Sequence, residues 1–212
     1  MTTVGDLDKA FRLYVDKADS QAGADFLPGE RQRFLNDAQL RLARELCADK
    51  TDNQDAVDLR RSLSDHARQP ITAGVDGADQ AELPANYLAF GRCRLQLKPP
   101  YAQHIVTPSV VSEDELSGAL DDEFNRPTIG EPVVCFLHGL VQVYPGAACE
   151  QLLLSFYRLP KQLDLSTPAQ VPDLLPALLP TLVQYAVQLA LESVQDPRFQ
   201  TQAAIAKVTA AD

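Results

Sequence analysis

Gln151-Leu152-Leu153-Leu154-Ser155-Phe156-Tyr157-Arg158-Leu159-Pro160 is the stretch on which the fold turns. Leu152, Leu154 and Phe156 recur at every second residue, the period of a strand with one buried face, and the proline closes it. Beyond it lie a polar turn, then Pro172, Pro176 and Pro180, then a Leu/Ala-rich segment, 178–193, whose apolar residues recur at three and four. Proline is accepted in a first helical turn and disrupts a later one, so regular helix is expected to begin near Pro176 or Pro180. Its stripe is Leu178, Leu179, Leu182, Ala186, Leu189, Ala190 and Ser193, widened by Val183 and Val187, a breadth that implies contacts on more than one side. A strand handing over to a long helix, with no evident nucleophile, metal ligand or phosphate cradle, describes a scaffold.

Upstream of this stretch the period of two persists. Residues 71–81 read as a short strand, a turn and another short strand, and Glu82-Leu83-Pro84-Ala85-Asn86-Tyr87 as a turn. In the longer strand that follows, Ala89, Gly91, Cys93, Leu95 and Leu97 alternate with Phe90, Arg92, Arg94, Gln96 and Lys98. Residues 105–111 are expected to form a strand with Pro108 at an edge or bulge, and Ser112-Glu113-Asp114-Glu115 to cap a short helix through Leu120. His138-Gly139, between 133–137 and 140–144, reads as a tight reversal.

The amino-terminal third is helical by spacing. Val4, Leu7, Phe11, Tyr14, Val15 and Ala18 share one stripe; Pro28 opens a second helix with Phe34, Leu35, Ala38, Leu42, Ala43 and Leu46 inward. Arg31, Arg33, Arg41, Arg44 and Glu45 fall mostly on the opposite side of that helix. Ala56, Leu59, Leu63 and Ala67 extend the pattern across 54–67. The fold class is therefore α+β: a helical bundle from the amino- and carboxy-terminal helices with an inserted small antiparallel β-sheet. One domain over 1–212 is expected, with helices at about 4–67 and 172–209 and the β-rich insertion at about 70–158.

With 19 Lys plus Arg against 29 Asp plus Glu, the net charge is −10, which disfavours holding nucleic acid through its phosphates. A conduit along which DNA slides without sticking would carry that sign. No apolar run is long enough to span a membrane and no signal peptide opens the chain, so a soluble, unexported protein with reduced thiols at Cys47, Cys93, Cys135 and Cys149 is expected.

Residues with chemical potential read as structural. Cys135, His138 and Cys149 have the donor types of a zinc site, but 135 and 138 point to opposite faces of a strand and a fourth ligand is missing nearby. The acidic groups Glu113-Asp114-Glu115 and Asp121-Asp122-Glu123 lack the spacing and glycine of a calcium loop and read as a solvated surface or an inter-subunit contact. There is no Gly-x-Ser-x-Gly elbow or Gly-rich phosphate loop, and His66, His104 and His138 fall in no triad motif. No catalytic, cofactor or metal residue is expected.

Four motifs in order carry a resemblance: Phe34-Leu35-Asn36-Asp37-Ala38-Gln39-Leu40-Arg41-Leu42-Ala43-Arg44-Glu45-Leu46, Leu83-Pro84-Ala85-Asn86-Tyr87-Leu88, Phe156-Tyr157-Arg158-Leu159-Pro160, and Leu182-Val183-Gln184-Tyr185-Ala186. Over residues 28–200 the chain resembles the head-to-tail adaptor (neck or connector) proteins of tailed bacteriophages, in their larger, sheet-containing form. The resemblance implies a virion neck protein, made in the host bacterial cytoplasm, with no catalysis. It implies a homo-oligomeric ring that matches the portal's twelvefold symmetry, contacts the portal and a downstream neck or tail protein, and extends a channel through which DNA passes without specific binding. Leu178, Leu182, Val183, Tyr185, Ala186, Leu189, Arg198 and Phe199 are the expected interface residues, with the segment from Pro197 onward expected to dock on the portal. The alternatives are a tail-completion or terminator ring protein, and a small-ligand-binding protein or enzyme.

Overall fold

Apolar residues at helical spacing become α1 (Val4–Ala18), α2 (Pro28–Ala48) and α3 (Gln54–Arg61) in the computed structural model, which describes residues 2–18, 26–48, 54–74, 77–100, 104–122 and 126–193. Strands follow as β1 (Ser64–Pro70), β2 (Thr72–Ala73), β3 (Asp79–Glu82), β4 (Tyr87–Leu97), β5 (Ile105–Val106) and β6 (Ser109–Val111). Then come α4 (Glu113–Asp121), β7 (Val133–Leu137), β8 (Leu140–Tyr144), β9 (Cys149–Arg158) and, after a 3₁₀ turn at Pro176–Leu178, α5 (Leu179–Ser193). The class is α+β, and the described residues divide into two units, one from Met1–Leu63 and Leu159–Asp212, the other from Ser64–Arg158.

The helical unit closes on α5, against which both α1 and α2 pack. Val4, Leu7, Phe11 and Val15 of α1, Leu35, Ala38, Leu42 and Ala43 of α2, and Leu182, Val183, Ala186 and Ala190 of α5 are buried. Phe11, Phe26 and Phe34 add an aromatic triangle, with centroids 5.4 to 6.4 Å apart. The proline-rich entry to α5 resolves as anticipated: Pro176 opens the 3₁₀ turn and Pro180 sits in the first turn of α5, where its missing N–H costs no helical bond. The expected helical end at Asp196-Pro197 and the segment 198–212 lie outside the described residues.

Arg31 is a correction. Helical spacing put it on the outer side of α2, yet it is only 6% exposed, because its Nε donates to Asp8 Oδ1 of α1 at 2.7 Å. A buried guanidinium is tolerated when a carboxylate neutralises it, and spacing alone cannot see a partner on another helix. The third helix is a second correction. It ends at Arg61, and Ser64–Pro70 is a strand paired antiparallel with β9, Ser64 opposite Tyr157 and Pro70 opposite Gln151. Ser-Asp-His-Ala-Arg-Gln-Pro has little strand propensity of its own; backbone pairing with β9 decides its conformation.

In the β unit the single expected sheet is two sheets, ordered β1-β9-β4-β5 and β2-β3-β8-β7-β6, antiparallel except for the parallel β6–β7 pair. The 105–111 segment accordingly splits at Pro108, β5 joining one sheet and β6 the other. Cys93, Leu95 and Leu97 of β4 and Leu152, Leu154 and Phe156 of β9 meet Val134, Val141 and Val143 of the second sheet in one buried cluster. His138-Gly139 does form the reversal, with Leu137 opposite Leu140 and Gly139 at φ 78°, a conformation that suits glycine. Irregular register between Tyr87 and Arg92 shifts the phase of β4, so Phe90 packs edge-on to Phe136 at 4.9 Å and Gly91 comes close to the β9 backbone. Asp79, 5% exposed, accepts from Ala147 N at 2.7 Å, which holds the β8–β9 turn.

Candidate functional site

Chemistry is not concentrated anywhere in the described residues: none of their His, Cys, Asp and Glu side chains form a group of three or more placed to hold a metal ion. Cys135 is buried on β7, Cys149 on β9, and His138 is exposed at the turn between β7 and β8. Cys93 and Cys149 have thiols pushed up to about 11 by burial, Asp79 adding to the effect at Cys149, so both remain protonated at neutral pH and poor nucleophiles. His66 ring Nδ1 lies 3.0 Å from Ser155 Oγ, and no carboxylate among the described residues makes a hydrogen bond to that ring of the kind a nucleophilic triad requires.

The surfaces carry more information. Of the expected interface residues, Leu178, Leu182, Val183 and Ala186 are buried within the helical unit itself, and Tyr185 and Leu189 are half-buried. Arg198 and Phe199 lie outside the described residues. The width of the α5 stripe is thus used inside the subunit, by α1 on one side and α2 on another. Tyr185 reaches the surface with a polar group: its hydroxyl donates to Glu45 Oε2 at 2.8 Å, and Arg41, whose Nε donates to Glu45 Oε1 at 3.0 Å, lies 4.6 Å above its ring. The Glu45 hydrogen bond, followed by burial, raises the Tyr185 phenol above its ordinary pKa. Exposed apolar side chains sit elsewhere on this unit, at Leu13 and Tyr14 of α1 and at Leu27.

An amide ladder that helical spacing only hints at runs along α2. Gln32, Asn36 and Gln39, at helical positions i, i+4 and i+7, present amides on one side of the helix, and the chain just after the Phe156-Tyr157-Arg158-Leu159-Pro160 motif lies across them. Leu165 N donates to Gln32 Oε1 at 3.1 Å, Leu163 exchanges two bonds with Asn36, and Gln39 Nε2 donates to Lys161 O at 2.8 Å. The amides take the place of a neighbouring strand for 161–165. The signal was present as polar residues interrupting the inward stripe of α2.

On the β unit, the outward face of the β1-β9-β4 sheet is basic. The register aligns His66, Ser155 and Arg92 in one row and Arg68, Leu153 and Arg94 in the next. Strands stand about 4.8 Å apart and same-face neighbours about 6.7 Å along a strand, so the three guanidiniums are rooted within about 12 Å of one another. All three arginines are exposed; they line one open hollow of about 250 Å³, and a second of similar size adjoins it at Arg92 and Ser155. The outward period of β4 was legible in the sequence; His66 and Arg68 were not, because 54–67 read as helix and the strand pattern was expected only from about residue 70.

A family model described as SU10 adaptor protein matches residues 2–211, nearly the whole chain. No curated protein matches it.

Proposed function

The chain belongs to the SU10 adaptor protein family, a phage head-tail adaptor family and not an enzyme family, and we propose that it forms a homo-oligomeric ring between the portal and the tail. The ring carries the portal's twelvefold symmetry and prolongs the DNA channel, which the excess of 29 acidic over 19 basic residues keeps non-adhesive to the phosphate backbone. The family match across residues 2–211 is the observation that carries this reading. The helical unit, a bundle of α1, α2 and α5, is the frame of each subunit. Its lateral contacts use the exposed apolar positions Leu13, Tyr14 and Leu27 together with the outer edge of α5 at Tyr185 and Leu189. Arg198, Phe199 and the rest of the carboxy-terminal segment dock on the portal, and the β unit meets the downstream neck or tail protein.

Multi-angle light scattering and negative-stain imaging of the purified chain, alone and mixed with its portal, test the reading. A ring, or binding confined to the tail-facing end of the portal, is expected. A monomer that ignores portals at every concentration tried rejects it. Deleting 198–212 is expected to abolish portal binding; unchanged binding would remove the docking role from that segment.

A further inference from the structure

The three arginines of the outward β1-β9-β4 face pose a physical question. Neither Arg68, Arg92 nor Arg94 forms a salt bridge with any carboxylate among the described residues, although the chain holds 29 acidic side chains against 19 basic ones. The residues aligned with them across the sheet are His66, Ser155 and Leu153, none of them acidic. Gathering like charges on one face of an acidic protein raises the free energy of the isolated subunit and lowers it once an anionic surface is applied.

A complementary element occurs in the same unit. α4 has no fully buried residue, and a nine-residue helix is marginal in water, so its one packed side leaves it an exposed outer side. Leu116, Ala119 and Leu120 are half-buried where α4 lies against β6 and β7, and the Glu115 carboxylate caps its start, accepting from the Ser112 hydroxyl at 2.8 Å and from Ser112 N at 3.2 Å. Glu113, Asp114 and Asp121 are exposed on it, and none is in a salt bridge among the described residues. Among the described residues the basic face lacks a counter-charge, and so does the outer, acidic side of α4.

We propose that the Arg68–Arg92–Arg94 face of one subunit receives the acidic helix α4 of a second copy of this chain, in a head-to-tail contact. Because the two surfaces differ, each subunit offers one and accepts the other, which is the geometry that closes into rings. The inference rests on the ring reading above and assigns it a contact. Nucleic acid is the competing occupant, and the net charge of −10 weighs against it.

The test uses two charge-reversed full-length variants, R92E/R94E and E113K/D114K, with sedimentation velocity reading assembly and circular dichroism reading the fold. Each variant alone should associate at least about tenfold more weakly than the parent chain, and raising NaCl from about 50 to about 500 mM should weaken the parent similarly. Mixed one to one, the variants should recover assembly, since a reversed face then meets a reversed helix and a native face a native helix. That recovery also proves both are folded. If both variants assemble like the parent, the contact is wrong while the ring stands. If the parent never assembles, alone or with portal, ring and contact fall together. A fluorescent duplex DNA, added in parallel, should bind parent and R92E/R94E equally weakly; loss of DNA binding in that variant with assembly unchanged would make the face a nucleic-acid surface and overturn the proposal.

Discussion

Asn36 of α2 and Leu163, 127 residues later, exchange a pair of hydrogen bonds: Leu163 N donates to Asn36 Oδ1 at 2.8 Å and Asn36 Nδ2 donates to Leu163 O at 3.0 Å. One amide side chain thus satisfies both polar groups of a backbone residue whose own side chain is fully buried. It ties the segment returning from the β unit to the second helix of the chain, in the place a sheet neighbour would otherwise occupy.

Replacing Asn36 by Ala should lower the unfolding free energy by about 3 kcal/mol, since it removes both bonds to Leu163 and the Nδ2 bond to Gln32 O at about 1 kcal/mol each, measured by urea titration followed by circular dichroism. Gln39→Leu should cost less, because Gln39 gives up only one bond to Lys161 and its buried Oε1 already lacks a partner among the described residues. Equal losses would show that the amide ladder is incidental.

The Arg31 and Asp8 pair separates buried from exposed electrostatics. Arg31→Ala should destabilise by about 3 kcal/mol, since it removes the buried partner of Asp8, itself 14% exposed, and leaves that carboxylate only the solvent-exposed Arg12. Arg12 contacts the same carboxylate at 2.8 Å but is 57% exposed, and Arg12→Ala should cost under about 1 kcal/mol. Thermal melts of the two variants side by side decide it.

Two glycines should respond with opposite sign. A Cβ at Gly91 would stand 2.8 Å from Ser155 O, a backbone atom that cannot move without disturbing the β4–β9 pairing, so Gly91→Ala should destabilise. At Gly118 in α4 nothing lies within 4 Å, and Gly118→Ala should stabilise by about 0.5–1 kcal/mol through helix propensity. A gain at Gly91 would contradict the close approach of the strands.

Thiol chemistry reports on the core. In native protein at pH 8, Ellman's reagent should reach half-buried Cys47 first, and the buried Cys93, Cys135 and Cys149 only on unfolding. Burial raises the Cys93 and Cys149 thiols from 9.0 to about 11 in the folded state, so the stability that goes with keeping them neutral is complete below pH 9 and is lost as pH rises from 9 to about 11. The urea midpoint should fall across that window, and Cys93→Ser with Cys149→Ser should not be used to test it, because buried hydroxyls add their own cost.

Much of the scaffold was legible in the sequence. α1, β4, the His138-Gly139 reversal, the Ser112–Glu115 cap and the start of α5 each follow from a pattern local to a dozen residues, where spacing, proline position or a capping pair acts within one element. The errors share a cause. Ser64–Pro70 became a strand because β9 offered it an edge, Arg31 turned inward because Asp8 waited on another helix, and the expected single sheet became two because the strands divide between distant partners, β1, β4 and β5 going with β9 and β2, β3, β6 and β7 with β8.

The sequence by itself determined an acidic α+β scaffold with helical ends, a strand-rich middle and the motif order of the adaptor family, because hydrophobic period and turn chemistry are properties of neighbours along the chain. Only the tertiary structure decided that the α5 stripe is sealed inside its own subunit, that Gln32, Asn36 and Gln39 hold residues 161–165, and that Arg68 joins Arg92 and Arg94 on one open face. Those outcomes depend on which distant segments meet, and pairing across 127 residues leaves no trace in local periodicity.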